Sequence, residues 1–170
     1  MKFDLSLMAL ALAAACGGSG GGTSDVSQTN ISIESIPQIA ISQAPSANFE
    51  SMLNNVRSNV GADPVTYNGL LGQAARRHAN DMHANDFFAH TGSDGSTIGT
   101  RVGDTGYRYS WVGENIAWGQ QSEAAALDAW QRSTTGHKEN NENPRHEHFA
   151  LAKAGSGQNT YWVLVLADPL

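Results

Sequence analysis

The chain has 170 residues, with 10 Lys and Arg against 16 Asp and Glu, and a formal net charge of −6 at pH 7. The cationic residues are scattered, which argues against a nucleic-acid partner, since such binding needs a basic face that displaces counterions. It also leaves no electrostatic reason to sit on anionic lipid. The single cysteine, Cys16, excludes an intrachain disulfide.

Lys2 precedes an apolar run over residues 5–15. A spanning helix needs about 20 apolar residues, so residues 1–15 read as a signal peptide rather than an anchor. Ala13-Ala14-Ala15-Cys16 resembles a bacterial lipoprotein cleavage box, with Cys16 as the lipidated residue. The rival reading is ordinary secretory cleavage that leaves a free thiol. Residues 16–45 read as the lipidated cysteine and a flexible tether, opened by Gly17-Gly18-Ser19-Gly20-Gly21-Gly22. Ile31, Ile33, Ile36, Ile39 and Ile41 do not suit a plain spacer. They read as a loosely packed apolar arm, with a short strand or a partner contact as the alternatives.

The folded domain is expected over residues 46–170, long enough for a core without covalent staples. Ser46 is an N-cap candidate, and Phe49, Met52, Leu53, Val56 and Val60 follow at helical spacing until Gly61. Val65-Thr66-Tyr67 is short and extended. A second helix is expected over 70–85, with Leu71, Ala75, His78 and Met82 in one stripe. His78 then reads as a buried structural histidine and His83 as solvated. Ser93-Asp94-Gly95-Ser96 is turn chemistry, with Asp94 capping its own backbone. A short helix over 97–104 carries Ile98, Arg101 and Val102. A strand is expected over 112–118, then a helix from the Ser122 cap to Thr134 with Ala126, Leu127 and Trp130 inward.

Two strands end the chain. One, over 149–154, places Ala150, Ala152 and Ala154 on one face. The other, over 161–167, is apolar on both faces, as a covered central strand would be. No regular βαβ repeat is present, so the fold class is α+β, an antiparallel sheet between helical layers.

Several motifs coincide in one order: Phe88-Ala89-His90-Thr91-Gly92-Ser93-Asp94-Gly95, Arg101, Gly106-Tyr107, Gly113-Glu114-Asn115-Ile116-Ala117, Trp130-Gln131-Arg132-Ser133, Gly136-His137, Asn140 and Asn143-Pro144. Together they resemble the bacterial SCP-like branch of the CAP superfamily, which includes cysteine-rich secretory, antigen 5 and pathogenesis-related proteins. The resemblance implies a three-layer α-β-α sandwich with a small antiparallel sheet and a cleft lined by histidines and acids. Carried onto this chain, the histidines are His90 and His137 and one acid is Glu114; Ser133 stands where the second acid usually lies. Asn141-Glu142 replaces the family's usual apolar pair, and Ala150 its usual glycine.

Two imidazoles and a carboxylate can hold a divalent ion, with Zn²⁺ the natural candidate for nitrogen-plus-oxygen ligation. The metal candidates are therefore His90, Glu114 and His137. No catalytic role is assigned; the candidates for one are His90, Glu114, His137 and Ser133, the last placed four residues before His137 as a nucleophile beside its base. The reading favoured is an extracytoplasmic lipoprotein of the cell envelope, secreted if not lipidated, whose cleft binds a lipid or sterol-like ligand, a metal or an envelope protein without catalysis. The alternative is a metal-assisted hydrolase or peptidase. His146-Glu147-His148 reads as a solvated rim.

Overall fold

A computed structural model describes residues 45–170. The expected signal peptide, Cys16, the tether and the isoleucine arm lie outside the described residues. Helix α1 spans Ala47–Ser58, and the Ser46 hydroxyl accepts from Phe49 N–H as its cap. The same hydroxyl meets the Glu123 carboxylate of a later helix. Phe49 and Leu53 are buried as expected, but the third residue of that i, i+4 row is Arg57, fully buried. Val60 falls beyond the helix and is 51% exposed.

Strand β1 is only Thr66–Tyr67. Helix α2 runs Gly69–Asn85 from an Asn68 cap and ends at Asp86, a non-glycine residue in the left-handed region at φ 51°. The expected stripe of Leu71, Ala75, His78 and Met82 is buried. Helix α3, Ile98–Asp104, is capped by Thr97, and strand β2 covers Tyr109–Trp118. Helix α4, Glu123–Gln131, stops three residues before the expected end, at the Arg132 C-cap. Helix α5, His137–Glu142, has no apolar stripe in its sequence and was not expected. Strands β3, His148–Ser156, and β4, Asn159–Pro169, complete the sheet.

The strand order is β1-β3-β4-β2. The three long strands are antiparallel neighbours, whereas β1 runs parallel to β3. The sheet is therefore mixed rather than antiparallel. Two residues are too few to show an alternation, so the direction of β1 leaves no trace in the sequence.

Two cores form, one on each face. Leu71, Ala75, Met82 and Val102 pack against Ala150, Ala152, Ala154, Val163 and Val165. Phe49, Leu53, Leu127 and Trp130 pack against Phe149, Leu151, Leu164 and Leu166. Consecutive residues of β4 feed opposite cores, which is why residues 161–167 are apolar without alternation. Burial of each such Leu or Val contributes roughly 1.5–3 kcal/mol. The result is an α-β-α sandwich in which β2 is an outer strand.

Candidate functional site

The site forms along β2. Side chains alternate across a strand, so Glu114 lies on the α2 face beside Val112 and Ile116, while Asn115 lies on the opposite face. The Glu114 side chain is 2% exposed. Its Oε1 accepts from His90 Nδ1–H at 2.8 Å, and its Oε2 accepts from Arg101 Nη2 at 2.7 Å. Arg101 projects from α3 and is itself 1% exposed. It also donates to the carbonyls of Ser96 (2.9 Å) and His90 (3.1 Å), fixing both ends of the loop that carries His90. Buried charges persist when paired and hydrogen-bonded in this way.

His78 stands behind this pair, its Nε2–H donating to the Ala89 carbonyl at 2.9 Å. It is the buried structural histidine expected, though 3.9 Å from Glu114 Oε1. Burial is the main cause that lowers its pKa. Asp94 accepts from Ser96 N–H within the turn and pairs with Arg77 at 2.8 Å.

His137 enters from the other face, at the first residue of α5. Its Nδ1 lies 2.9 Å from Ser133 Oγ, as the four-residue spacing suggested. Burial lowers the His137 pKa first, and the nearby His90 imidazole lowers it further. His90 meets β2 through Glu114 and His137 through Asn115, whose side chains point to opposite faces of the strand. Each imidazole has Nδ1 engaged and, among the described residues, no hydrogen-bond partner on Nε2. The His90 side chain is 56% exposed. Among the described residues no three His, Cys, Asp or Glu side chains are gathered as a metal-holding group. Glu114, with both oxygens engaged, sits behind His90 rather than beside the two open nitrogens.

What holds His137 in place is a polar network that the sequence reading missed. Asn115 Nδ2 donates to the His137 carbonyl (2.9 Å) and to Asn141 Oδ1 (2.8 Å). Asn115 Oδ1 accepts from Asn140 Nδ2 at 3.0 Å, and Asn140 Oδ1 accepts from His146 Nε2–H at 3.1 Å. Gly113 lets Asn140 lie against β2, because a Cβ there would collide with the Asn140 amide. Beneath, Arg57 donates to the carbonyls of Asp63, Asn141, Asn143 and His146 at 2.7–3.0 Å. Asn141 thus packs inward as a polar residue.

The sequence profile of the cysteine-rich secretory protein family, CAP, matches residues 50–166. The chain belongs to the CAP family. No curated protein matches it in sequence. Among solved structures, this CAP chain is similar to an extracellular protein with an SCP domain from Bacillus anthracis, at 21% identity and a TM-score of 0.65 over 75% of this chain and 40% of that one. It is similar to an outer surface protein of Borrelia burgdorferi at 18% identity and TM-score 0.66, over 72% and 91%. A cysteine-rich secretory protein of Staphylococcus aureus gives 13% and 0.59, over 71% and 37%. This chain therefore spans well under half of the Bacillus and Staphylococcus proteins. These likenesses establish the CAP sandwich, and the bacterial neighbours named are extracellular or surface proteins. Among the described residues no helix is long and apolar enough to cross a membrane.

The rim reading of the second histidine pair is corrected. His146 is 1% exposed, and His148 Nδ1 lies 2.7 Å from the Tyr107 hydroxyl. The charged neighbours suggested solvent, but Arg57 pulls this segment of the CAP domain inward. His146 has its Nδ1 buried without a partner. Burial, then the Arg57 charge, push its pKa down to about 4, against a small opposing pull from Asp168. The folded pKa lies below the unfolded value of about 6.5, so the unfolded state takes up the proton first. Stability is complete above pH about 6.5 and falls as the pH drops toward 4, by on the order of 3 kcal/mol from this residue. Urea unfolding at stepped pH should show that slope in the wild type. A His146→Gln variant should show a smaller one; equal slopes would remove His146 as its source.

Proposed function

We propose that the cleft of this CAP domain is a binding site whose recognition centre is the pair of open Nε2 atoms on His90 and His137, and that it works without catalysis. The observation that carries this is the engagement of Glu114: one oxygen orients His90, the other neutralises Arg101. A carboxylate so committed is a poor general base and a good orienting partner for a ligating imidazole. A divalent ion such as Zn²⁺ suits the two nitrogens, with Glu114 and Ser133 holding the rings from behind; bound there, it would supply a Lewis-acid position for a ligand's oxygen. A lipid, a sterol-like molecule or an envelope protein is the larger ligand in this reading.

Calorimetric titration with Zn²⁺ is the test. Wild type should bind, and His90→Ala/His137→Ala should bind at least about a hundredfold more weakly. Glu114→Gln should weaken binding about 10–100-fold, the range for a residue that orients a ligand. Equal binding by wild type and the double variant would end the proposal.

The reading extends to location. Cys16 carries the lipid and residues 17–45 the tether, which places the domain on the cell envelope. Metabolic labelling with an alkyne fatty acid should tag the wild type and leave Cys16→Ser unlabelled; a labelled Cys16→Ser would refute the anchor.

A second reading rests on Ser133 Oγ, 2.9 Å from His137 Nδ1. This is hydrogen-bond reach for a nucleophile and its base. A serine-based hydrolase would lose ester hydrolysis in Ser133→Ala and a metal-assisted one, using His90, Glu114 and His137, would lose it in His90→Ala/His137→Ala, whereas the binding reading predicts no turnover in any of these proteins.

A further inference from the structure

The outer strand β2 leaves part of its far edge open beside the cleft. Gly119 N–H donates to the Thr160 carbonyl at 2.8 Å in the pairing with β4. The register then turns the main-chain groups of odd-numbered β2 residues toward β4 and those of even-numbered residues outward. The outward carbonyl of Ile116 accepts from Trp130 Nε1 at 3.0 Å, so α4 closes the edge there. Toward the other end, a register shift between Tyr109 and Trp111 breaks the regular alternation. Val112 and Glu114 lie between these stops. Glu114 is half-buried as a residue although its side chain is 2% exposed, so its accessible surface is main chain.

We propose that the edge of β2 at Val112 and Glu114 binds an extended polypeptide segment as an added strand beside the cleft. The occupant follows from the chemistry of the edge. Outward N–H and C=O groups recur every second residue, about 6.8 Å apart. An extended main chain answers that alternation with its own groups at the same spacing, and a hydrocarbon tail has none to offer. Sheets usually blunt an open edge with proline, lysine or a bulge. Here the bulge and the Trp130 contact trim the edge to a short stretch without sealing it. Trp111 flanks the stretch, 48% exposed, with the Arg145 guanidinium 5.7 Å from its ring centre. This pair offers an apolar face and a positive charge to a side chain of the incoming strand. The proposal needs no metal and goes beyond the imidazole-pair reading.

A phage-displayed library of random octapeptides, panned on the full chain, is the probe. Wild type should enrich peptides, and the bound peptide should slow amide exchange at Val112 and Glu114 by at least about tenfold. Val112→Pro removes an N–H that points away from β4 and so spares the ladder. It should bind the selected peptides at least about tenfold more weakly. The selected peptides should bind within about threefold whether or not a chelator such as EDTA is present, which separates this proposal from the metal reading. Failure to enrich any peptide, protection at other amides, or equal binding by Val112→Pro would overturn it. If Val112→Pro does not fold, the exchange measurement on wild type decides alone.

Discussion

Replacing Glu114 with alanine is expected to cost about 3–5 kcal/mol of unfolding free energy, the range for breaking a buried pair from one side. The buried Arg101 would keep only neutral partners, the Ser96 and His90 carbonyls and the Ser96 hydroxyl. Its Nε already lacks a partner. His90 would lose its one side-chain acceptor among the described residues, and with it a tie between the loop over residues 86–97 and β2. Urea unfolding measures the cost. A double-mutant cycle with Arg101→Met identifies its origin: the double variant should be less destabilised than the sum of the single losses by about 1–3 kcal/mol. Strict additivity would show that the pair does not carry the effect.

Arg57→Ala should be comparably severe, again about 3–5 kcal/mol. The guanidinium is fully buried, and four carbonyls from two separate segments converge on it. Burial lowers its pKa, opposed by Asp63. Its removal leaves those carbonyls facing an unfilled cavity. Arg57→Lys should recover a part, since a single ammonium cannot reach all four directions of the fork. The revealing measurement is hydrogen exchange along α5. If Arg57 anchors α5, the amides of residues 137–142 should open in Arg57→Lys well before those of β4. Uniform loss of protection would mean that Arg57 serves the whole sandwich instead.

These two arginines also show where the sequence ran out. Helix α2 and strand β4 were legible because burial imposes a period or a continuous apolar run, and both survive in the residue order. Helix α5 was not legible. His137-Lys138-Glu139-Asn140-Asn141-Glu142 has no apolar face, and its place is fixed by Arg57 and Asn115 from elsewhere in the chain. A trace of Arg57 was present, since it continues the Phe49, Leu53 row at a spacing of four. The neighbouring valines, Val56 and Val60, drew the reading away from it. Arg101 left a similar trace between Ile98 and Val102 on α3. His90, Glu114 and His137 were reached through a resemblance, and no local pattern would have joined residues so far apart. Their separate tasks, one pair open and one acid committed behind them, are set by contacts that spacing does not encode.

The small side chains of β3 deserve a last consequence. Ala150, Ala152 and Ala154 face α2, so over β3 only methyl groups stand between that helix and the sheet. His78 hangs from α2 and grips the Ala89 carbonyl next to His90. The height of the His90 ring above β2 thus depends in part on three methyls on a different strand. A family of such domains could retune its cleft by changing the shim and never touching the jaws.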